Sequence, residues 1–332
     1  MNPPDLVPTK FTAQDTAGIA AQLADQGYVV IRGIYDPTEV AELQAMCLDE
    51  LSYIADAETP YTDLWSLRPD THYPEPKMRG LMGEFGLSQG PMAWRVRCNR
   101  VIRQIFGNIL GVTDPQRDLV CSMDAVAFSP DCIPVGNVNW LHVDQNPKVE
   151  APQIGSYQGI MYLSDTVPGG VTTALVPGSH KEWLRHDFTS PNHFQIVSED
   201  YGPRAVRLVM AAGDLLIFAS KTVHQGYWGP HRLAVMVSYG RKEDRTEDVR
   251  KDKIMMYLGG FRSTHWSMAA QVHGYKFFST AGREFQPLRP TLRADLSEED
   301  LMDANSLLYE PELCEYYPGH EDLIPSDILE LL

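Results

Sequence analysis

Two histidines and one aspartate are the residues of this chain most able to bind a metal ion. His142 and Asp144 lie two residues apart in Trp140–Asp144, and residues two apart on a β-strand point to the same side. A His-x-Asp pair alone often arises by chance, but His224 follows a second apolar run, Leu215–Phe218. Two imidazoles and one carboxylate form the facial triad that binds non-haem Fe(II) and leaves positions open. The sequence therefore predicts an iron centre.

Zinc is the alternative metal for histidine and carboxylate ligands. A structural zinc ion requires a closed set of Cys or His ligands, but the five cysteines are scattered and form no CxxC or CxxxC pair. This pattern favours iron over structural zinc. Scattered cysteines in an odd number are also typical of a reducing compartment, where disulfides are rare.

Arg232 begins an apolar stretch, Arg232–Tyr239, in which alternation places Arg232 and Ser238 on one face. A guanidinium that points into a core needs an anionic partner. A dicarboxylate bound to the metal at one end would meet this arginine bidentately at the other. The alternatives are an arginine in solvent or one paired with an acid such as Asp214.

The elements that position these residues fall into two parts. Residues 12–25 show helical spacing and stop before Gly27, a residue suited to a left-handed helix end. A buried strand, Tyr28–Ile31, follows. Asp36 then starts a second helix, with Glu39 three residues later forming a capping box.

From residue 118 the pattern changes to short apolar runs without helical crossovers, which favours an antiparallel sandwich or barrel. The candidate strands are 119–128, 138–144, 158–164, 171–176, 205–210, 214–219 and 232–239. We expect a mainly helical segment at 1–117, the sheet-rich core at 118–241 and an extension at 242–332, all within one domain. The extension is predicted to have helices near 297–309 and at its end.

Between Asp25 and Arg241 the chain resembles the phytanoyl-CoA dioxygenase family of Fe(II)/2-oxoglutarate-dependent oxygenases. The matching pieces, in order, are Gly27–Gly33, His142–Asp144, Gly169–His180, Gly213–Asp214, His224 and Arg232. The resemblance implies a mainly β protein with flanking helices and a double-stranded β-helix (jelly-roll, cupin-like) catalytic core. It also implies Fe(II), 2-oxoglutarate and O2, with 2-oxoglutarate decarboxylated oxidatively to succinate as a substrate is oxidised.

The resemblance assigns roles residue by residue. It makes His142, Asp144 and His224 the iron ligands and catalytic residues. Arg232 would bind the distal carboxylate of 2-oxoglutarate, with Arg241, which differs in strand parity, as the rival. Further hydrogen bonds to the co-substrate are predicted from three residues, Gln158, Tyr162 and Ser238.

The carboxylate of Asp144 distinguishes between two reactions. Family relatives that halogenate have a small residue at this place, so hydroxylation, desaturation or ring closure of a small organic metabolite is predicted instead. One alternative is a non-catalytic jelly-roll protein that binds or senses a ligand. Another is an oxygenase that acts on an acyl-CoA or on a protein.

The charge balance limits the partners. Acidic residues outnumber basic ones, 44 to 28, giving a net charge of −16, which disfavours nucleic acid. The sequence has no apolar run of about 18 residues and its first ten residues do not resemble a signal peptide. We therefore expect a cytoplasmic enzyme with a small-molecule substrate and neither a membrane nor a nucleic-acid partner.

One cationic region stands out against this charge. A helix predicted over 92–110 contains Arg95, Arg97, Arg100 and Arg103 and no acidic residue. Three of the arginines are spaced by three, so they would share a helical face. This face either binds an anionic substrate such as a coenzyme A thioester or pairs with acidic residues and solvent.

Overall fold

The computed structural model of the chain describes residues 3–55, 57–73, 80–82, 86–136, 140–146, 155–167, 170–186, 188, 195–197, 199–227, 229–258, 261–269, 321–322 and 324–332. The chain forms two compact units, each made of two separate stretches. The first unit is Met1–Val40 with Ser129–Ala234, and the second is Ala41–Phe128 with Val235–Leu332. The division at 117 and 241 follows element type and stays a prediction.

The strands are short and concentrated after residue 118. In chain order they are β1 (Asp5–Leu6), β2 (Lys10–Phe11), β3 (Tyr28–Ile31), β4 (Leu119–Cys121), β5 (Val126–Ser129), β6 (His142–Val143), β7 (Tyr157–Tyr162), β8 (Thr173–Leu175), β9 (Gln195–Ile196), β10 (Val206–Leu208), β11 (Leu215–Ala219), β12 (His224–Gly226), β13 (Arg232–Val237) and β14 (Tyr239–Arg241).

The α-helices are α1 (Thr16–Gln26), α2 (Pro37–Ile54), α3 (Pro91–Arg97), α4 (Arg100–Leu110), α5 (Glu247–Leu258) and α6 (Ser326–Leu329). Short 3₁₀ helices cover Leu87–Gln89, Ser179–Arg185, Glu199–Arg204 and Lys242–Asp244. The helix predicted near 297–309 lies outside the described residues. Among the described residues, none of the helices combines the length and the hydropathy that crossing a bilayer requires.

Two mixed sheets form the first unit. One has the order β1-β10-β8-β12-β6-β9, in which β1 and β10 are parallel and the other pairs are antiparallel. The other begins β2-β3-β11-β7, with β2 and β3 parallel and the next two pairs antiparallel, and then reaches the start of β13. In the second unit β14 pairs antiparallel with β4. The predicted prevalence of antiparallel pairing is confirmed.

The predicted ends of the first two helices are confirmed. Gly27 has a left-handed φ of 77°, and its N–H donates to the Leu23 carbonyl at the end of α1. At the start of α2, the Asp36 side chain accepts from the Thr38 and Glu39 N–H groups. The Glu39 carboxylate accepts from the Asp36 N–H in return. This reciprocal capping satisfies backbone donors that a helix start would leave unpaired.

The prediction of one continuous helix over 92–110 is wrong, because this stretch forms two helices, α3 and α4. The Asn99 side chain accepts hydrogen bonds from the Val101 and Ile102 N–H groups and so caps a new helix. An N-cap residue has non-helical backbone angles, so the helical direction changes at this point.

The prediction that the arginines share one cationic helical face is therefore wrong as well. Arg97 and Arg103 are buried, and both donate to backbone carbonyls, those of Ser88 and Asp124 for Arg97 and that of Gln116 for Arg103. The remaining two arginines, Arg95 and Arg100, are exposed. The four side chains do not form one surface.

Several predicted strand boundaries are also corrected. The runs 119–128 and 232–239 each contain two strands, β4 with β5 and β13 with β14. In 138–144 the described strand is limited to His142–Val143, since the described residues 140, 141 and 144 are not in a strand. Four strands were not predicted at all, and each has two or three residues, too few for a period-two pattern to be recognised: β1, β2, β9 and β12.

Candidate metal centre

The structure brings His142, Asp144 and His224 together. Strands β6 and β12 pair antiparallel with His224 directly opposite His142, so both imidazoles lie on one face. Asp144 follows β6, and its N–H donates to the Ser220 carbonyl at 2.9 Å. The His142 Nε2 atom lies 3.3 Å from Asp144 Oδ1, and the His224 Nε2 atom lies 3.1 Å from Oδ2. One candidate ligand atom from each residue lies within 4.8 Å of the other two.

Backbone carbonyls fix the tautomers of both imidazoles. The His142 Nδ1 atom is 2.9 Å from the Trp140 carbonyl oxygen, and the His224 Nδ1 atom is 2.9 Å from that of Thr222. A carbonyl oxygen accepts hydrogen bonds and cannot donate, so each Nδ1 carries the proton. In the neutral imidazoles both Nε2 lone pairs then point at the Asp144 carboxylate. Three electron-pair donors converge with no proton of their own between them, an arrangement that a divalent cation satisfies.

Burial and mutual charge set the protonation of the three groups. Burial raises the pKa of Asp144, but the charges and hydrogen bonds of the two histidines outweigh it and hold the pKa well below its usual value. Burial lowers the pKa of His142, but the Asp144 charge outweighs that effect and raises it. Burial and the charge on His142 together lower the pKa of His224. The carboxylate therefore stays ionised, which is the form that a metal ion binds.

Gln158 lies beside Asp144. On β7 its amide nitrogen donates to Asp144 Oδ2 at 2.9 Å and to the Ser220 hydroxyl at 3.3 Å. The Ser220 hydroxyl in turn hydrogen-bonds the Ser156 hydroxyl at 2.8 Å. These contacts orient the carboxylate, a role that the sequence did not predict because β6 and β7 belong to different sheets. That Gln158 also reaches the co-substrate stays a prediction.

Arg232 is buried at the start of β13, with 6% of its surface exposed. Its Nη1 group donates to the Tyr227 carbonyl at 3.0 Å, while its Nε has no hydrogen-bond partner among the described residues. Burial lowers the pKa of Arg232, and the neighbouring Tyr162 hydroxyl raises it. The acid suggested as an alternative partner, Asp214, instead binds Lys10 at 2.6 Å. A buried guanidinium with unused donor capacity is suited to an anionic ligand.

Space remains beside this guanidinium because residue 226 is glycine. Gly226 lies two residues after His224 on β12, so both positions have the same facing. A Cβ atom at Gly226 would lie 3.8 Å from Arg232 Nη1 and 4.0 Å from Trp140 Cζ2. The absence of a side chain at position 226 therefore leaves space next to Arg232, on the same side of β12 as His224.

Tyr162 extends the polar surroundings of Arg232. Its hydroxyl lies 2.8 Å from the Thr173 hydroxyl and accepts from the Thr173 N–H at 3.1 Å. The hydroxyl of Thr172 lies at 3.5 Å. Tyr162 is thus held in place close to the guanidinium, and its predicted contact with the co-substrate stays a prediction.

The remaining two candidates belong to the second unit. Arg241 donates to the Leu110 carbonyl through Nε and Nη2, at 3.0 and 2.5 Å. The Ser238 carbonyl accepts from the Ser122 N–H at 2.8 Å, and its hydroxyl has no hydrogen-bond partner among the described residues. The Arg241 side chain is 46% exposed and also pairs with Glu243. The buried Arg232 with its unused Nε is therefore favoured as the anion-binding arginine. The predicted contact of Ser238 with the co-substrate stays a prediction.

A comparison of sequence profiles identifies one family. The profile of the phytanoyl-CoA dioxygenase family matches residues 23–227, more than half of the chain. The matched range includes all three candidate metal ligands and ends before Arg232. No curated protein sequence matches the chain significantly.

Solved structures with a similar fold include EctD from S. alaskensis. Its apo form is 19% identical with a TM-score of 0.50, covering 74% of this chain and 86% of that chain. The form with bound Fe is 18% identical with the same TM-score, covering 74% and 85%. The epimerase SnoN, in complex with Fe3+, alpha ketoglutarate and nogalamycin RO, is 19% identical with a TM-score of 0.47, covering 68% and 82%. The predicted mainly β fold with a double-stranded β-helix core is confirmed.

Proposed function

We propose that this chain, which belongs to the phytanoyl-CoA dioxygenase family and is a 2-oxoglutarate-dependent non-haem iron dioxygenase, hydroxylates, desaturates or cyclises a small organic metabolite. The observation that carries the proposal is the convergence of two Nε2 lone pairs and one carboxylate within 4.8 Å. Three protein ligands would leave coordination positions free on the ion, as an iron centre that must also bind a co-substrate and dioxygen requires.

In this proposal the three residues that hold the Fe(II) are His142, Asp144 and His224. When bound, the iron supplies the centre at which O2 and 2-oxoglutarate react, so that succinate forms as the metabolite is oxidised. The protein fixes the ligands before the metal arrives. The Trp140 and Thr222 carbonyls hold the imidazole tautomers, and Gln158 holds the carboxylate.

Arg232 is the proposed partner of the distal carboxylate of 2-oxoglutarate. It is buried, its Nε lacks a partner among the described residues, and the missing side chain at Gly226 leaves space next to it. A bidentate contact between guanidinium and carboxylate would satisfy this donor and fix the orientation of the co-substrate. Tyr162 would support binding of the same carboxylate, since its hydroxyl interacts with the guanidinium and raises the pKa of Arg232.

The reaction type follows from the carboxylate of Asp144. Because this ligand is present, no halide position is left where the carboxylate binds, and the substrate receives oxygen or loses hydrogen. A small metabolite is favoured over an acyl-CoA because the arginines that were candidates for binding CoA phosphates do not form a common surface. Arg97 and Arg103 are buried against backbone carbonyls.

The test is a paired measurement of Fe(II) binding and of succinate formation from 2-oxoglutarate, both begun under anaerobic conditions. Wild-type protein should bind one Fe(II) and form succinate on addition of O2. Asp144→Ala should lose both properties, while Asp49→Ala, which removes an exposed carboxylate on α2, should retain both. Turnover that persists in Asp144→Ala and His224→Ala would contradict the ligand assignment. A wild-type protein that binds neither metal nor 2-oxoglutarate would favour the non-catalytic alternative.

A further inference from the structure

Trp140 is held by strand β12 at two points. Its backbone N–H donates to the Gln225 side-chain oxygen at 2.9 Å. Its indole Nε1–H donates to the Gly226 carbonyl at 3.0 Å. The backbone and the side chain of Trp140 are therefore both tied to the strand that begins with His224.

Trp140 in turn holds His142 at two points. Its carbonyl accepts the hydrogen bond from His142 Nδ1 at 2.9 Å. Its indole ring stacks on the imidazole, with 4.3 Å between the ring centroids and 17° between the planes. Rotation of the imidazole about its χ2 angle would break the hydrogen bond and the stacking contact together.

We infer that Trp140 is a positioning residue, which orients the His142 imidazole for metal binding. Strand β12 therefore fixes the positions of both imidazoles. His224 is part of this strand, and His142 is held through Trp140, which Gln225 and Gly226 bind. The two ring centroids are 4.4 Å apart. The inference rests on the proposed function, since it takes His142 and His224 to be ligands of one ion.

The effect of this arrangement is to fix the ligand before the metal binds. A free imidazole would lose rotational freedom on metal binding, and the partners of metal-bound histidines reduce that loss. Mutation of a residue that orients a metal-bound histidine typically lowers metal affinity about 10–100-fold. A side-chain substitution at Trp140 keeps the carbonyl that accepts from His142 Nδ1 but removes the stacked ring and the indole donor that hold it. The stacked indole also brings an intrinsic fluorophore next to a ligand, so that metal binding at His142 should change the emission of Trp140.

The experiment is an anaerobic Fe(II) titration of the metal-free protein, followed by calorimetry and by tryptophan emission. Trp140→Leu removes both the ring and the indole donor, whereas Trp140→Phe keeps an aromatic ring against His142. The matched control is Trp94→Phe in the second unit, where a buried indole donates to the Gln89 side chain at 2.9 Å. Thermal unfolding without metal identifies variants that do not fold, and Gln225→Leu then replaces Trp140→Leu.

Trp140→Leu should raise the dissociation constant for Fe(II) about 10–100-fold, with a smaller increase in Trp140→Phe and no change in Trp94→Phe. The metal-dependent change in emission should disappear in both Trp140 variants and persist in Trp94→Phe. Equal affinities in the folded variants and the wild type would overturn the inference, as would a change in emission that survives without Trp140. If the wild-type protein itself binds no Fe(II), it is the proposed function that fails.

Discussion

In the first unit, His142, Asp144 and His224 turn their polar atoms toward one another, whereas in the second unit Arg97 and Lys253 turn theirs toward backbone carbonyls. The Lys253 ammonium is fully buried and donates to the carbonyls of Cys121 and Ser267, at 2.5 and 3.1 Å. The Arg97 guanidinium is equally buried and donates to two carbonyls. Both units therefore bury charge, but in different chemical settings.

The difference teaches that burial of an ionisable group does not by itself indicate a functional site. Burial lowers the pKa of Lys253 to about 8, a large shift for a residue whose contacts are structural. What distinguishes the first unit is convergence, because several donors share one point and retain binding capacity. Perturbed pKa values occur in both settings, so they identify candidates and geometry selects among them.

The largest expected effect that would sharpen this comparison is at Arg232. Arg232→Ala removes the proposed partner of a buried carboxylate, which costs about 2–5 kcal/mol, or roughly 1.5 to 3.5 orders of magnitude. The KM for 2-oxoglutarate should rise by that factor, with Fe(II) affinity unchanged. Arg241→Ala, the control, removes an arginine that binds the Leu110 carbonyl and should leave the KM as it is. The opposite pattern would move the anion site to Arg241.

The counterpart in the second unit is Arg97→Ala, which should affect stability and not catalysis. The substitution leaves the Ser88 and Asp124 carbonyls without this donor and creates a cavity, at a cost of about 3–5 kcal/mol. Urea unfolding should show this loss, while the folded fraction keeps the wild-type KM for 2-oxoglutarate. Arg95→Ala is the control, because Arg95 is exposed and pairs with Glu42 on the surface. A changed KM in folded Arg97→Ala protein would break the comparison.

A smaller effect is expected at Gly226, where the substitution adds a side chain and removes no charge. Gly226→Val would fill the space next to Arg232 Nη1, and crowding of the bound co-substrate there should cost about 1–3 kcal/mol. The KM for 2-oxoglutarate should rise roughly 5- to 150-fold. Gly202→Val adds the same side chain at a glycine with no heavy atom within 4 Å of the added Cβ and should have little effect. An unchanged KM in Gly226→Val would place the co-substrate elsewhere.

The last effect depends on pH and concerns Glu50, a buried carboxyl group of the second unit that accepts from the Met92 N–H at 2.7 Å. Burial raises the pKa of Glu50 to about 8 from 4.5, so the folded state keeps a proton that the unfolded state releases. The stabilisation that this proton provides is complete below pH 4.5 and is lost as pH rises toward 8, at up to about 1.4 kcal/mol per pH unit.

Glu50→Gln should remove that dependence. Urea unfolding between pH 5 and 8 should show the free energy of unfolding of the wild type falling relative to the variant. Glu39→Gln, which alters the exposed capping box of α2, serves as control and should keep the wild-type slope. Parallel pH profiles for wild type and Glu50→Gln would show that the Glu50 carboxyl is ionised in the folded protein.

The candidate ligands could be predicted from the sequence because their signal is local. The spacing of His142 and Asp144 places them on one side of a strand whatever the rest of the chain does, and a glycine or a capping aspartate marks a helix end directly. The contacts of Gln158 with Asp144 and of Trp140 with β12 could not be predicted, because they depend on which strands pair and in which register. The spacing of two residues between Trp140 and His142 indicates only that the two side chains lie on the same side of a strand.

The errors have the same origin. The pattern at 92–110 has helical periodicity, and periodicity does not show that Asn99 caps a new helix within it. The positions of Arg97 and Arg103 were inferred from that continuity and so were wrong together. Strands of two residues, such as β6, are defined by their partners across the sheet and have too little sequence of their own.

The direct pairing of His224 with His142 also bears on which changes of length the chain can accept during evolution. An insertion between residues 144 and 224 lengthens a connection, and the two imidazoles still meet as long as β6 and β12 pair in the same register. A single residue inserted within β12 reverses the facing of every side chain beyond it, and Gly226 would exchange sides with its neighbour. Relatives should therefore differ freely in the length of these connections and hardly at all within β12.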